Sequence, residues 1–331
     1  MGDTTQKTKR QHFVPQSYLS RFCDENRQIW TFDKFGRKSF QSSILNVGQE
    51  KYFYDLPIDD TIDGNSFDPQ IVEKALAPIE SAYKVLIDEC LAGLSVVGAQ
   101  YTTLFNLAPY VAIQWMRTKE YRETAVAAAT GMMRSLLDET IELNWPHKAD
   151  EYKSSFRLSL NSEAALHGEH FFSDESINHV AGHLTRFIWL LGLSDSDQVF
   201  LSSDHPVVRA ANLRDDHGPL VGLRDPGVEF ILPLAPNAVL LILEPRYFGH
   251  LAEHDCHAVS LTAEQVRHCN RLQVTKSYRQ VYSPRNDFSF VETICREQPE
   301  VCNPNRKRVE ITVTQTGPMK SRTDVRIIES E

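Results

Sequence analysis

The chain has 331 residues, with 35 Lys and Arg against 44 Asp and Glu, a net charge of −9 and a pI near 5.8. An acidic balance excludes a strongly basic coat for nucleic acid, whose affinity comes from neutralising phosphates; a local basic cleft stays open. No apolar run reaches the roughly 20 residues needed to span a bilayer, and the six cysteines, without a CxxC, fit reduced thiols in a cytoplasmic protein better than a disulfide framework or a paired-Cys zinc site.

Residues 1–10 read as a flexible polar leader with no apolar segment of a signal peptide. The next stretch is dense in information: Lys9-Arg10-Gln11-His12-Phe13-Val14-Pro15-Gln16-Ser17-Tyr18-Leu19-Ser20-Arg21-Phe22. Tyr18, Leu19 and Phe22 fall on one helical face, Pro15 opens the turn, and His12 sits just upstream. Residues 28–40 predict a β-hairpin turning at 34–37 around Gly36, and Tyr52-Phe53-Tyr54 a short strand or aromatic plug. Residues 55–68 predict a loop. Helical spacing follows over 69–92 with Asp68 as N-cap, over 101–118 with a kink at Pro109, over 120–143, and more weakly over 154–166. Residues 173–193 read as a further helix capped by Ser173 and stopped by Gly192.

The pattern then changes. Residues 198–201 and 207–210 read as strand pieces around Asp204, and 228–232 and 239–243 as an apolar strand pair. Residues 262–279 predict a helix with Thr262 as N-cap, followed by a strand over 280–283. The fold class is α+β: an N-terminal β-hairpin, a helical middle and a β-rich C-terminal part packed as one body. Residues 11–285 form the expected single domain, and 286–331 an extension, partly edge strand (309–314) and partly disordered.

The opening run resembles the domain-of-unknown-function 4238 family, whose members begin with a similar His-hydrophobic-x-Pro-x-x-Tyr-Leu-x-x-Phe signature. The resemblance continues through Gln114-Trp115-Met116-Arg117, Ser203-Asp204-His205-Pro206-Val207, Leu232-Pro233-Leu234-Ala235-Pro236, Asn270 and Val281-Tyr282-Ser283, and so covers roughly residues 9–285. His205 stands where such proteins often carry a small polar residue. The resemblance implies a fold and candidate positions; it implies no reaction.

His12, Gln114, Arg117, Asp204 and Asn270 form the first candidate set of polar residues within those segments. Gln114 and Arg117 are three apart on an otherwise apolar helix, so they share a face. An Arg there needs an anionic partner, because an unpaired buried charge is very costly. Two readings stay open. Arg117 and Asp204 form an internal ion pair joining helix to sheet, or the set faces a ligand. In the second, Arg117 clamps a phosphate or carboxylate, Gln114 and Asn270 orient it, His12 transfers a proton, and Asp204 orients His12 or binds a metal.

Other clusters are weaker. His179 and His183, four apart on the predicted helix and near His167, Glu169, His170 and Glu175, are candidate ligands for a divalent metal. Val180 stands where a zincin carries Glu, which argues against metalloprotease chemistry. His254-Asp255-Cys256-His257 with His268 and Cys269 offers a Cys–His pair, with nothing nearby to lower a thiol pKa. Ser202-Ser203-Asp204-His205 holds the letters of a triad, but adjacent strand residues point to opposite faces. The basic clusters Lys7-Lys9-Arg10 and Arg306-Lys307-Arg308 read as solvated tails, or with Trp30, Phe32 and Phe35 as a single-strand cleft. The function read from the chain is an enzyme acting on a phosphate-bearing substrate, a nucleotide or nucleic acid, in the manner of a hydrolase or nuclease. The alternative is a non-catalytic binding or regulatory protein whose His/Arg/Asp network is structural.

Overall fold

The computed structural model describes residues 9–56, 68, 70–93, 102–158, 162–171, 173–215, 218–219, 222–317 and 320–328. Residues 1–8 of the expected leader and 57–67 of the expected loop lie outside the described residues. The N-terminal part holds β1 (Arg10–His12), α1 (Gln16–Leu19), β2 (Gln28–Asp33), β3 (Lys38–Ser43) and β4 (Gln49–Lys51). The helical middle holds α2 (Ile71–Gly93), α3 (Thr102–Met116), α4 (Lys119–Asn144), α5 (Ala149–Ser155), α6 (Glu163–Ala165) and α7 (Asp174–Leu184). Then come β5 (Ile188–Ser194), β6 (Ser202–Ser203), β7 (Val208–Ala211), β8 (Arg214–Asp215), β9 (Gly218–Pro219), β10 (Val228–Ala235), β11 (Ala238–Leu243) and α8 (Pro245–Phe248). The chain continues through β12 (Ala258–Leu261), α9 (Ala263–Lys276), β13 (Gln280–Ser283), α10 (Ser289–Glu297), β14 (Val309–Gly317) and β15 (Lys320–Ile327). The architecture is mixed α+β, as the patterning predicts. None of the described helices is long and apolar enough to cross a membrane.

Two sheets organise the core. One has the order β3-β2-β13-β6, the other β12-β5-β11-β10-β7, and only the β12–β5 pairing within them is parallel. The β2–β3 hairpin turns where Asp33 Oδ1 accepts from the Phe35 and Gly36 N–H groups at 3.0 and 3.3 Å, the short polar side chain mimicking a turn. Strands of the five-stranded sheet are apolar on both faces. Trp189, Leu191, Phe230, Leu232, Leu240 and Ile242 join the large core with α1, α2, α3 and α7. Ile188, Leu190, Ile231, Leu241 and Leu243 face the other way, toward Val266 and Cys269 of α9. Farther along α9, Val274 packs with Phe32, Val281, Val291 and Ile294, so α9 bridges the two sheets and α10 covers the smaller one. α9 begins with a full capping box between Thr262 and Gln265.

The helix expected over 173–193 is corrected. α7 ends at Leu184, where the Thr185 N–H donates to the Ala181 carbonyl and the Arg186 N–H to the His183 carbonyl, and Ile188–Ser194 is a central strand. The cause is tertiary. A short run that is apolar on every side satisfies a buried strand flanked by two strands as well as it satisfies a helix. Gly192 is no helix stop: a Cβ there would lie 2.5 Å from Leu261 Cδ1 and 2.8 Å from Val239 Cγ1. The strand expected at 198–201 forms instead at Ser202–Ser203. A close approach also seats the C-terminal hairpin, since a Cβ on Gly131 of α4 would lie 2.1 Å from Ile311 Cδ1 of β14.

Gly192→Ala overpacks the sheet. It should lower stability by about 1–3 kcal/mol, read from the chemical-denaturation midpoint.

Candidate functional site

The C-terminal end of α3 and the residue after it carry a buried polar network. Gln114, fully buried, donates through Nε2 to the Phe13 carbonyl at 3.2 Å. Arg117 is 1% exposed, and that number decides its chemistry, because such a cation needs partners on every side. It has them. Nη1 lies 2.8 Å from Glu80 Oε1 of α2, Nη2 donates to the His12 carbonyl at 2.6 Å, and Nε donates to the Tyr54 hydroxyl at 3.2 Å. The Tyr54 hydroxyl donates in turn to the Arg117 carbonyl at 3.0 Å. The expected Arg117–Asp204 pair is therefore corrected: the carboxylate is Glu80.

His12 joins this network through its main chain. Its ring Nε2 is buried with no hydrogen-bond partner among the described residues. Burial holds its pKa below the usual imidazole value, backbone hydrogen bonds at Ile44 and Leu45 oppose this, and the Arg117 charge adds to the lowering. Glu73 is a neighbour the sequence reading missed. Burial pushes its carboxyl up to about 7 against the pull of Arg117, and its Oε2 has no partner among the described residues. The available signal was spacing: Glu73, Leu76, Glu80, Tyr83 and Ile87 form one stripe on α2, so both acids sit on its packed face.

The structure brings His12, Gln114 and Arg117 together. Asp204 and Asn270 make their bonds elsewhere. Asp204 accepts from the Tyr278, Arg279 and Gln280 N–H groups at 2.9, 2.8 and 2.8 Å, pinning the chain that enters β13. Burial pushes its carboxyl up to about 6, opposed by the Lys34 charge and those three donors. Lys34, fully buried, donates to the Val274 and Ser277 carbonyls at 2.7 and 2.8 Å at the end of α9. Asn270 clamps an extended segment, accepting from Leu201 N at 2.8 Å and donating to the Val199 carbonyl at 2.9 Å. Both side chains hold main chain in place.

The remaining clusters separate by environment. His179 and His183 stand ring to ring on α7 with centroids 4.8 Å apart. Among the described residues no group of three or more His, Cys, Asp or Glu side chains could hold a metal. His167 is fixed between the Arg122 guanidinium at 3.1 Å and the Met116 carbonyl at 2.7 Å. The side chains of Glu169 and His170 lie outside the described residues. Burial pushes the Cys256 thiol up to about 11 and the Cys269 thiol up to about 12, the reverse of what a nucleophile needs. Ser203 donates to Gln273 Oε1 at 2.7 Å and His205 Nδ1 lies 2.6 Å from Thr118 Oγ1, so neither serves a triad.

The C-terminal basic cluster is no solvated tail. Arg306 Nη2 lies 2.8 Å from Glu120 Oε1, and Arg308 reaches both oxygens of the same carboxylate at 3.1 and 3.2 Å. Arg306, Lys307 and Arg308 help to wall a cavity of about 530 Å³, together with Arg209 of β7 and Lys276 at the end of α9. Five cationic side chains thus meet two acidic ones there, Glu120 and Glu300. Trp115 and Tyr121 add aromatic surface, with the Arg209 guanidinium 5.0 Å from the Trp115 ring centroid. Trp30, Phe32 and Phe35 are not among its walls. His205 also lines it. Burial first, then the charges of Arg306, Lys276, Arg209 and Lys34, push its pKa down to about 3. Burial and Arg122 bring His167 to about 3 as well.

Arg117→Lys keeps the charge and loses the fork. It should cost about 3–5 kcal/mol, the range for breaking a buried pair, visible as a lowered melting temperature. The histidines set a pH dependence. An imidazole at about 3 in the folded chain and 6.5 in the unfolded chain gives stability that is complete above pH 6.5 and lost as the pH falls toward 3. Asp204 and Glu73, raised to about 6 and about 7, act with the opposite sign over pH 4–7. The His205 contribution is therefore isolated as a difference: on going from pH 7 to pH 5, His205→Asn should gain about 2 kcal/mol relative to the wild type in denaturation midpoints.

No curated protein and no solved structure matches the chain. A family match covers residues 10–287, from the opening signature past β13, and its description is "Protein of unknown function (DUF4238)". That span takes in the Arg117 network, Asp204, Asn270 and both sheets, and the chain belongs to the DUF4238 family.

Proposed function

We propose that the protein binds a phosphate-bearing ligand in the cavity between α4, β7, the end of α9 and residues 300–308, and that the His12–Gln114–Arg117 network supports the fold beneath it. One observation carries this reading: the positive wall in a chain whose net charge is −9. An excess of cationic over acidic side chains on low-dielectric walls focuses field and raises the local concentration of an anion. The depressed His205 pKa supports the same picture, because its cationic causes are the cavity's own side chains together with Lys34. Guanidinium forks suit phosphate oxygens. A ring held that far below neutrality is a weak base, so the reading is one of binding rather than of proton transfer by His205. The roles first expected for His12, Asp204, Gln114, Arg117 and Asn270 as catalytic and orienting groups give way, in this proposal, to structural ones. Six free cysteines accord with a reducing cytoplasm as its location.

Charge reversal tests the reading. Lys276→Glu and Arg209→Glu should each weaken ATP or pyrophosphate binding by ten-fold or more in calorimetry, about 1.4 kcal/mol. Added salt should weaken wild-type binding as well. Unchanged binding in both variants would remove the cavity from consideration.

A further inference from the structure

The cavity has two unlike faces, and the fold makes each continuous. Tyr121, Ala125 and Ala128 sit at i, i+4 and i+7 on one side of α4, and β15 packs on α4, bringing Val325 and then Ile328 beside them. That face is largely apolar, and Glu120 and Thr124 of α4 also line the cavity. The other face is cationic. Arg306 donates to the Ser277 carbonyl at 2.9 Å, which sets its guanidinium beside the end of α9 and Lys276, while α9 packs on β7 with Arg209. Asn303 and Asn305 also line the space, each with an amide that can donate and accept.

From this we infer that the cavity selects a mononucleotide, a planar base joined to one or two phosphates, over bare phosphate and over nucleic-acid strands. The inference rests on the phosphate binding proposed above and adds the ligand class. A bare anion would use only the cationic face. Amphiphilic walls suit a ligand with an apolar plane at one end and charge at the other. About 530 Å³ lies within the roughly 300–1,000 Å³ typical of sites that enclose one small molecule. A strand needs instead an open groove tracking several nucleotides with stacking platforms along it. Of the selecting groups, Asn303, Asn305, Val325 and Ile328 lie beyond the family match, which ends at residue 287, and Tyr121, Ala125 and Ala128 lie within it. Ligand preference therefore draws on this chain's C-terminal segment as well as on α4.

Calorimetry on the full chain decides it, with pyrophosphate, adenosine, ADP and a ten-residue oligodeoxyadenylate as probes. ADP should bind at least ten-fold more tightly than pyrophosphate, adenosine or the oligonucleotide. Ile328→Asn, at an exposed position, and Ala128→Phe, which fills the apolar face, should each erase the ADP advantage while pyrophosphate binding persists. Equal affinity for pyrophosphate and ADP would overturn the mononucleotide inference and leave phosphate binding standing. Tightest binding by the oligonucleotide would overturn it in favour of a strand. Adenosine binding as tightly as ADP, or no binding by any probe, would overturn both.

Discussion

One guanidinium constrains the architecture. Arg117 stands just past the end of α3 with almost no exposure to water, and its bonds reach three separate stretches: Glu80 on α2, Tyr54 after β4, and the main chain of His12 at the start of the family signature. A charge in that position fixes geometry because any displacement leaves it unpaired in a low dielectric. Thr118 and the first turn of α4 follow directly in sequence. The same anchor therefore sets where Glu120 and Tyr121 face the cavity, and it links the signature to the cavity wall.

A second set of main-chain clamps surrounds α9. Lys34 closes the carbonyls at its end, Asn270 holds residues 199–201, and Asp204 gathers three N–H groups ahead of β13. Each is a polar group satisfied by backbone, which is how buried side chains avoid a desolvation penalty. Together they lock the helix between two sheets and put Lys276 at the cavity wall. Lys34, Asn270 and Asp204 thus bond to the frame, while the cationic surface comes from side chains around it.

Local signals in the sequence were legible, and contacts across the chain were not. The β2–β3 turn, the Thr262 cap and the β13 strand depend on neighbours a few residues away, and they form where the pattern places them. The run from Phe187 to Leu193 is apolar throughout, so periodicity could not choose between helix and strand; the flanking strands β11 and β12 chose. The grouping of Gln114 and Arg117 on one face was readable from their spacing, but the identity of the carboxylate was not, since Glu80 lies on another helix. The helix α10 had its signal in the spacing of Val291, Ile294 and Cys295, set among charges and turn formers that obscured it. Arg306 and Arg308 looked solvated because Glu120, their partner, lies far away in sequence.

That last separation bears on how the protein is made. Glu120 and Arg308 are 188 positions apart, so α4 and the C-terminal segment that lines the cavity with it leave the ribosome far apart in time. While the early helices are already able to pack, the wall opposite them does not yet exist. The cavity can therefore close only after residues 306–308 have been made, long after α4.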